Sequence, residues 1–285
     1  MLALAPGTGY VHEPFSPATR PGVSAAPFER YYTYVTAENE ARYLPALERT
    51  LAFSYDWRAQ LQGTPDLRDG LRAARDAASF ARSRILHARP VVKDPIALLS
   101  APWLAERFGM RVVVLIRHPA GFAGSLRKRG MTFRFETLLD DERLVHERLA
   151  PFEDELREQV RAPGDLVEQA ALLWRVLYST VAAYRNEHPD WLFVRHEDLA
   201  AAPLLAFARI YSDLGLQLTP LAARRIEKHS TASVDAEQAK AHDVRQNSRS
   251  TIGSWHSRLT AAELERLHEA VSDVSQHFYT EEDWS

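Results

Sequence analysis

The chain has 285 residues, enough for one large α/β domain or two small ones, and its 46% hydrophobic content is sufficient to bury a core. Its 35 basic and 38 acidic residues give a net charge of −3, which argues against a general nucleic-acid-binding protein. The absence of cysteine excludes disulfides, thiolate zinc sites and cysteine nucleophiles, and it suits a cytoplasmic protein.

The sequence predicts neither a membrane segment nor a division into domains. The longest apolar stretch, residues 170–184, is interrupted by Arg175 and is shorter than the ~20 residues of a membrane span. The N-terminal MLALAPGTG lacks the charged opening of a signal peptide. No low-complexity linker divides the chain, so we expect a single cytoplasmic domain over residues 1–285.

The first predicted strand covers residues 9–12 and is followed by Glu13 and Pro14. MLALA before it is typical of the end of a helix. Glu13 would lie at the carboxyl end of the strand, a suitable place for a base that removes a proton from a hydroxyl. His12 is the alternative base, and a structural role of Glu13 in the loop is equally open.

Helices are expected between the first and second strands. Residues 38–62 carry apolar side chains at helical spacing, and residues 66–84 form an amphipathic pattern rich in arginine and alanine. The aromatic run FERYYTY, residues 28–34, predicts either core packing or the wall of an apolar ligand pocket.

The second predicted strand ends in VVKDP, residues 91–95. Lys93 is again at a carboxyl end, where an ammonium group can stabilise negative charge that develops in a transition state. The alternative is an ion pair with Asp94 or Glu13. A helix is expected over residues 96–108.

The third strand opens the stretch RVVVLIRHPAGFAGSLRKR, residues 111–129. Its five consecutive apolar residues, 112–116, predict a strand that is buried on both faces, as in a parallel sheet. Pro119 suits the first turn of a helix, and Gly130 ends that helix after three basic residues.

Arg117 and Ser125 form a candidate anion site. Arg117 sits at the carboxyl end of the strand, where open α/β sheets bind ligands. Ser125 follows Pro119 by roughly 9 Å along the helix, at 1.5 Å per residue. A guanidinium and a hydroxyl can together bind one phosphate. The alternative is that Arg117 only solvates the strand end and Ser125 only faces water.

The second half of the chain is predicted to be mostly helical. Residues 131–161 are either a mobile lid over a ligand or an ordinary surface connection. A long helix is expected over residues 165–187, capped by its first residue. A fourth strand covers residues 191–195, and Glu197 and Asp198 are predicted to cap the helical turn after it.

The last part of the chain offers a final helix and no metal site. Thr260 with Glu263 three residues on predicts a capping box. None of the 11 histidines has the spacing of a zinc site, so no metal is expected.

Four of these stretches follow one another as they do in sulfotransferases that use 3′-phosphoadenosine 5′-phosphosulfate. They are YVHEPFSP, VVKDP, IRHPAGFAGSLRK and FVRHEDLAAAP. The chain resembles the bacterial branch of that family over nearly its whole length. In the family, an arginine that ends the strand and a serine eight residues later hold the 3′-phosphate of the donor, and Arg117 and Ser125 match that spacing.

The resemblance extends to a late loop that closes over the 3′-phosphate in the family. There, basic residues and a glycine precede a tryptophan. Arg249, Gly253 and Trp255 approximate this pattern, and Arg245 is a second basic candidate, although the family's arginine–lysine–glycine run is absent. A flexible surface loop is the alternative.

The resemblance also bears on the residues at the first two strand ends. It supports contact of Lys93 with the donor or the acceptor, since the family has a K-x-P element there. It places a catalytic acid or histidine close to His12 and Glu13 without deciding between them.

The implied fold is α/β, a mostly parallel sheet flanked by helices and related to P-loop nucleotide kinases. The implied function is transfer of a sulfuryl group from the donor to a hydroxyl of a small molecule or glycan, without metal, nucleic acid or membrane, and a homodimer is left open. Two alternatives are a non-catalytic relative that binds 3′-phosphoadenosine nucleotides and a P-loop kinase acting on a small molecule.

One element of the family is missing from the sequence. The loop that cradles the 5′-phosphosulfate, before YVHEPF in the family, has no counterpart, and G-x-x-x-x-G-K-[ST] occurs nowhere. We therefore expect Met1 to lie inside the helix after that loop, through a misassigned start codon, a shortened protein or true degeneration. The expected consequences are low or no turnover and a gap or exposed edge beside strands 9–12 and 111–116, where the first strand would lie.

Overall fold

The computed structural model describes residues 1–62, 67–230 and 252–284. The chain forms two compact units, Met1–Met110 and Arg111–Ser285. Within these described residues, each unit contains one pair of parallel strands together with several helices, so the protein is α/β, as the sequence predicts.

The first unit is built around the parallel pair β1, Thr8–His12, and β2, Arg89–Lys93. His12 lies directly opposite Lys93, so both strands end at the same edge. The α-helices of this unit are α1 Leu44–Leu51, α2 Trp57–Gln62, α3 Leu67–Ile85 and α4 Ala101–Phe108, and short 3₁₀ helices cover Leu2–Leu4, Glu40–Arg42 and Pro95–Ser100.

Aromatic side chains form much of the core of the first unit. Phe28 stacks between Phe15 and Tyr43, with ring centroids 4.2 and 4.8 Å apart. Core packing, one of the two interpretations of the aromatic run at 28–34, therefore holds for Phe28, and Tyr34 is buried as well. Tyr31 from the same run is exposed.

The second unit contains the parallel pair β3, Val113–Ile116, and β4, Leu192–Arg195. Its α-helices within the described residues are α5 Pro119–Arg129, α6 Glu136–Leu139, α7 Glu142–Leu144, α8 Glu153–Arg161, α9 Leu166–Glu187, α10 His196–Ala201, α11 Pro203–Asp213, α12 Pro220–Ser230 and α13 Ala261–Ser275. A π-helical turn covers Val145–Leu149, and 3₁₀ helices cover Ala150–Phe152 and Glu281–Trp284.

Local sequence signals explain where several helices of the second unit begin. The Asp165 carboxylate accepts hydrogen bonds from the N–H groups of Val167 and Glu168, which starts α9. Thr260 and Glu263 form a reciprocal capping box at α13. The predicted caps of both helices are confirmed.

The strands differ from the prediction in two respects. All four occur near their predicted positions and pair in parallel, but they form two separate two-stranded sheets instead of one sheet. In the described residues, β1 and β3 each hydrogen-bond to a single neighbouring strand, so each has the exposed edge that the sequence predicts. The prediction that β3 is buried on both faces is wrong: Val114 and Ile116 are buried, whereas Leu115 on the opposite face is 49% exposed.

Residues 131–161 pack into the second unit through several apolar side chains. Phe135, Leu138, Leu144, Leu149 and Leu156 are all buried. Next to this segment, Arg175 of α9 pairs with Glu155 and Asp273 and therefore joins α8, α9 and α13. In the described part of the chain, no helix combines the length and apolarity needed to cross a membrane.

Candidate functional site

The three residues predicted for catalysis meet at the carboxyl edge of the β1–β2 pair. The Lys93 ammonium forms an ion pair with Oε1 of Glu13, and the Glu13 N–H donates to the Lys93 carbonyl oxygen at 2.9 Å. His12 lies opposite Lys93 in the ladder. The ion pair between Lys93 and Glu13, which the sequence offered as the alternative to a catalytic role, is present in the structure.

Glu13 has an unusual backbone conformation for a residue with a side chain. Its φ of +43° lies in the left-handed region, which favours glycine. The Thr19 hydroxyl donates to the Glu13 carbonyl oxygen, and the Ser16 N–H donates to the same oxygen at 3.1 Å. Such strain is concentrated at functional sites, so the conformation supports a role for Glu13 beyond loop formation.

The other candidate base, His12, contacts a tyrosine that the sequence analysis did not single out. Nδ1 of His12 is 3.1 Å from the Tyr10 hydroxyl, and the two rings stack with centroids 5.8 Å apart. Burial, followed by the nearby charges of Glu13 and Asp94, raises the pKa of Tyr10. The alternation of side chains along β1 places Tyr10 and His12 on the same face, which is the sequence signal for this pair.

Asp94, directly after β2, fixes the loop that follows β1. Its carboxylate accepts from the Phe15 N–H at 2.7 Å and from the Ile96 N–H at 3.0 Å, and the second bond caps the 3₁₀ helix Pro95–Ser100. Burial raises the pKa of Asp94 to about 6 despite these hydrogen bonds. An aspartate before Pro95 is a recognisable capping signal, but its bond to Phe15 joins residues 79 positions apart.

The raised pKa of Asp94 predicts a pH dependence of stability. An unfolded aspartate ionises near pH 3.8, whereas folded Asp94 keeps its proton up to about pH 6. Its contribution to the free energy of unfolding therefore falls as the pH rises through this window. We expect wild type to lose melting temperature relative to Asp94→Asn between pH 4 and pH 7, as measured by circular dichroism. A difference that does not change with pH would show that Asp94 titrates normally.

The predicted anion site lies in the second unit, where β3 leads into α5. The main chain of Arg117 is held on both sides by α9: its N–H donates to the Tyr178 hydroxyl at 2.9 Å, and its carbonyl oxygen accepts from Nε1 of Trp174 at 3.0 Å. Both aromatic side chains are buried. These two contacts hold the end of β3 through the main chain of Arg117, so they do not occupy its guanidinium.

The side chains of Arg117 and Ser125 share one face of α5. A Cβ built on Gly121 would lie 3.3 Å from Nε of Arg117, so the guanidinium runs along the helix past Gly121. Ser125 is four residues after Gly121 and therefore on the same face. Both side chains are half-buried, and within residues 1–62, 67–230 and 252–284 neither has a hydrogen-bond or ion-pair partner.

Gly253 and Trp255 come to the same helix. Gly253 has φ +54°, and its carbonyl oxygen accepts from the His256 N–H in a turn. After this turn, Trp255 packs closely against α5 at Gly124. A side chain at position 124 would be crowded there, because its Cβ would lie 3.3 Å from Cβ of Trp255. Arg249 and Arg245, the basic residues predicted for this loop, lie outside the described residues.

Both signs of charge act on the guanidinium of Arg117, and Tyr178 and Glu197 act more strongly than the two neighbouring arginines. Burial is the largest influence on its guanidinium and lowers its pKa, and the charges of Arg129 and Arg258 lower it further. Tyr178 and Glu197 act in the opposite direction.

His118, between Arg117 and α5, is buried and surrounded by aromatic rings. Its Nδ1 accepts from the Ala120 N–H at 3.3 Å and so caps α5. The rings of Trp255, Tyr279 and Trp284 lie 5.6, 4.8 and 4.4 Å from it. Burial lowers the pKa of His118 to about 4, so the imidazole is neutral at pH 7 and remains able to cap the helix.

Glu197 has a role that the sequence analysis did not predict. It lies in the first turn of α10, where a capping role was expected, but its carboxylate accepts from the His118 N–H at 3.1 Å and the Tyr279 hydroxyl at 2.9 Å. Although burial alone raises the pKa of Glu197, hydrogen bonds from His196 and His118 lower it to about 2. Glu197 thus links the ends of β3 and β4 to the C-terminal segment.

In the part of the chain that the structure describes, no group of three or more histidine or acidic side chains is placed to hold a metal ion. No protein-family model, curated protein or solved structure matches the chain.

Proposed function

We propose that the protein binds 3′-phosphoadenosine nucleotides and transfers a sulfuryl group from 3′-phosphoadenosine 5′-phosphosulfate to an acceptor hydroxyl, with the low turnover expected from a sequence without the 5′-phosphosulfate loop. One observation carries the proposal. An arginine at the carboxyl end of β3 and a serine on the following helix share a face, and neither side chain has a partner among the described residues. Arginine and hydroxyl donors in this arrangement suit a terminal phosphate.

The chemistry of the transfer assigns further roles. The acceptor oxygen attacks sulfur, the bond from sulfur to the bridging oxygen breaks, and 3′-phosphoadenosine 5′-phosphate leaves. The acceptor proton passes to Glu13 or His12, and the Lys93 ammonium stabilises charge on the sulfuryl group or the bridging oxygen. The sequence resemblance supports these roles, and so does the strained backbone of Glu13.

Isothermal titration with 3′-phosphoadenosine 5′-phosphate tests the binding step. We expect tighter binding of this nucleotide than of adenosine 5′-monophosphate, which lacks the 3′-phosphate, and of ATP. Ser125→Ala should weaken binding at least about tenfold, because one charge-assisted hydrogen bond, worth about 1.5–3 kcal/mol, is lost. Ser272→Ala, which removes an exposed hydroxyl from α13, is the matched control.

The same titrations separate the alternatives. Equal affinity for 3′-phosphoadenosine 5′-phosphate and adenosine 5′-monophosphate would contradict a 3′-phosphate site. A preference for ATP would favour the kinase alternative. Release of 3′-phosphoadenosine 5′-phosphate from the donor in the presence of a panel of phenols, sugars and alcohols tests catalysis. Binding without release from any of them would identify a non-catalytic relative.

A further inference from the structure

The face of α5 that carries Ser125 also carries a second arginine. Gly121, Ser125 and Arg129 follow one another at intervals of four residues, which places them in one row along the helix. Arg129 is exposed, and among the described residues its guanidinium has no hydrogen-bond or ion-pair partner. Arg127, two residues earlier, points elsewhere: it pairs with Glu263 and donates to the Arg258 carbonyl oxygen.

Helix geometry directs Arg129 toward the serine. Side chains on an α-helix lean toward its N-terminus, so Arg129 leans back over the turn that contains Ser125. Arg117 approaches the same row from the other end, alongside Gly121. The charge of Arg129 also lowers the pKa of Arg117, which indicates that the two guanidinium groups lie within electrostatic range.

Two neighbouring guanidinium groups repel each other unless an anion lies between them. Acidic residues do not neutralise both guanidinium groups. The charge of Glu197 raises the pKa of Arg117, but Arg129 pairs with no described carboxylate. The Ser125 hydroxyl lies between the two groups along the helix. A ligand with two negative charges would relieve this repulsion more than a ligand with one.

We propose that Arg129 is a specificity-determining residue of this site, where it binds the same anion as Arg117 and Ser125 and selects a doubly charged phosphate monoester. The proposal rests on the proposed function and adds a residue to it. A phosphate monoester carries a charge of about −1.5 to −2 at pH 7, whereas a phosphate diester carries one charge.

Two ligands with the same base and sugar test the selection. Adenosine 3′-monophosphate is a monoester, and adenosine 2′,3′-cyclic phosphate is a diester with one charge. We expect wild type to prefer the monoester in isothermal titrations. Arg129→Ala should weaken binding of the monoester about tenfold and binding of the cyclic ester about twofold, so that the preference shrinks.

Lys128→Ala is the control, because it removes one positive charge from the same helical turn but from a different face. We expect it to change either affinity by less than twofold. If Arg129→Ala changes the two affinities as little as Lys128→Ala does, while Arg117→Ala still loses binding, the role proposed for Arg129 is wrong and the proposed function stands. If wild type binds neither ligand nor the 3′,5′-bisphosphate, the proposed function itself fails. An unchanged melting temperature of each variant shows that the helix is retained.

Discussion

Arg117→Ala is expected to abolish measurable binding of 3′-phosphoadenosine 5′-phosphate, with a loss of at least a hundredfold in affinity. A guanidinium can donate two parallel hydrogen bonds to a phosphate, and hydrogen bonds to charged groups are each worth about 1.5–3 kcal/mol. Two such bonds correspond to more than a hundredfold. Arg117→Lys should give an intermediate affinity, because the ammonium keeps the charge but loses the fork of donors.

The structure makes this variant a clean test. The contacts that position residue 117 involve its N–H and carbonyl oxygen, so an alanine keeps both bonds to α9. The melting temperature should therefore hold or rise, since burial disfavours the charged guanidinium that the substitution removes. Arg209→Ala is the control, because it deletes an exposed arginine of α11. Equal affinity of Arg117→Ala and Arg209→Ala would remove the basis of the proposed site.

The segment from β3 to α5 was predictable because its signals are local. Pro119 at the first turn and Gly130, with φ +58°, at the end set the limits of α5 within the sequence itself. The meeting of His12 with Lys93 follows from two parallel strands that end at one edge. The common face of Ser125 and Arg129 is a matter of helical spacing and could also have been found from the sequence.

The contacts around His118 could not be predicted in the same way. Its N–H bonds to a carboxylate 79 residues later, and its ring meets Trp255 and Trp284 from the far end of the chain. No local pattern encodes such pairs. The exposure of Leu115 has a similar origin, because an apolar run predicts a strand but not whether another layer covers each face.

Trp174→Ala is expected to destabilise the second unit by about 3–5 kcal/mol, the usual range for a buried tryptophan truncated to alanine. Trp174 is 0% exposed and stacks on Tyr178 with ring centroids 4.4 Å apart. The variant also leaves the Arg117 carbonyl oxygen without its Nε1–H donor. Native domains are stable by about 5–15 kcal/mol, so the variant loses a large part of that stability.

Trp174→Phe separates the two effects of this tryptophan. Phenylalanine keeps an aromatic ring against Tyr178 but cannot donate to the Arg117 carbonyl oxygen, so a loss of about 1–3 kcal/mol remains for the unsatisfied acceptor and the smaller ring. Urea unfolding followed by circular dichroism measures both variants. Leu221→Ala is the control in the same unit, because that leucine is 64% exposed and should change stability by less than about 0.5 kcal/mol. Equal stabilities of Trp174→Phe and wild type would mean that the indole hydrogen bond does not hold the end of β3. The contact with α5 would then be what positions the Arg117 side chain.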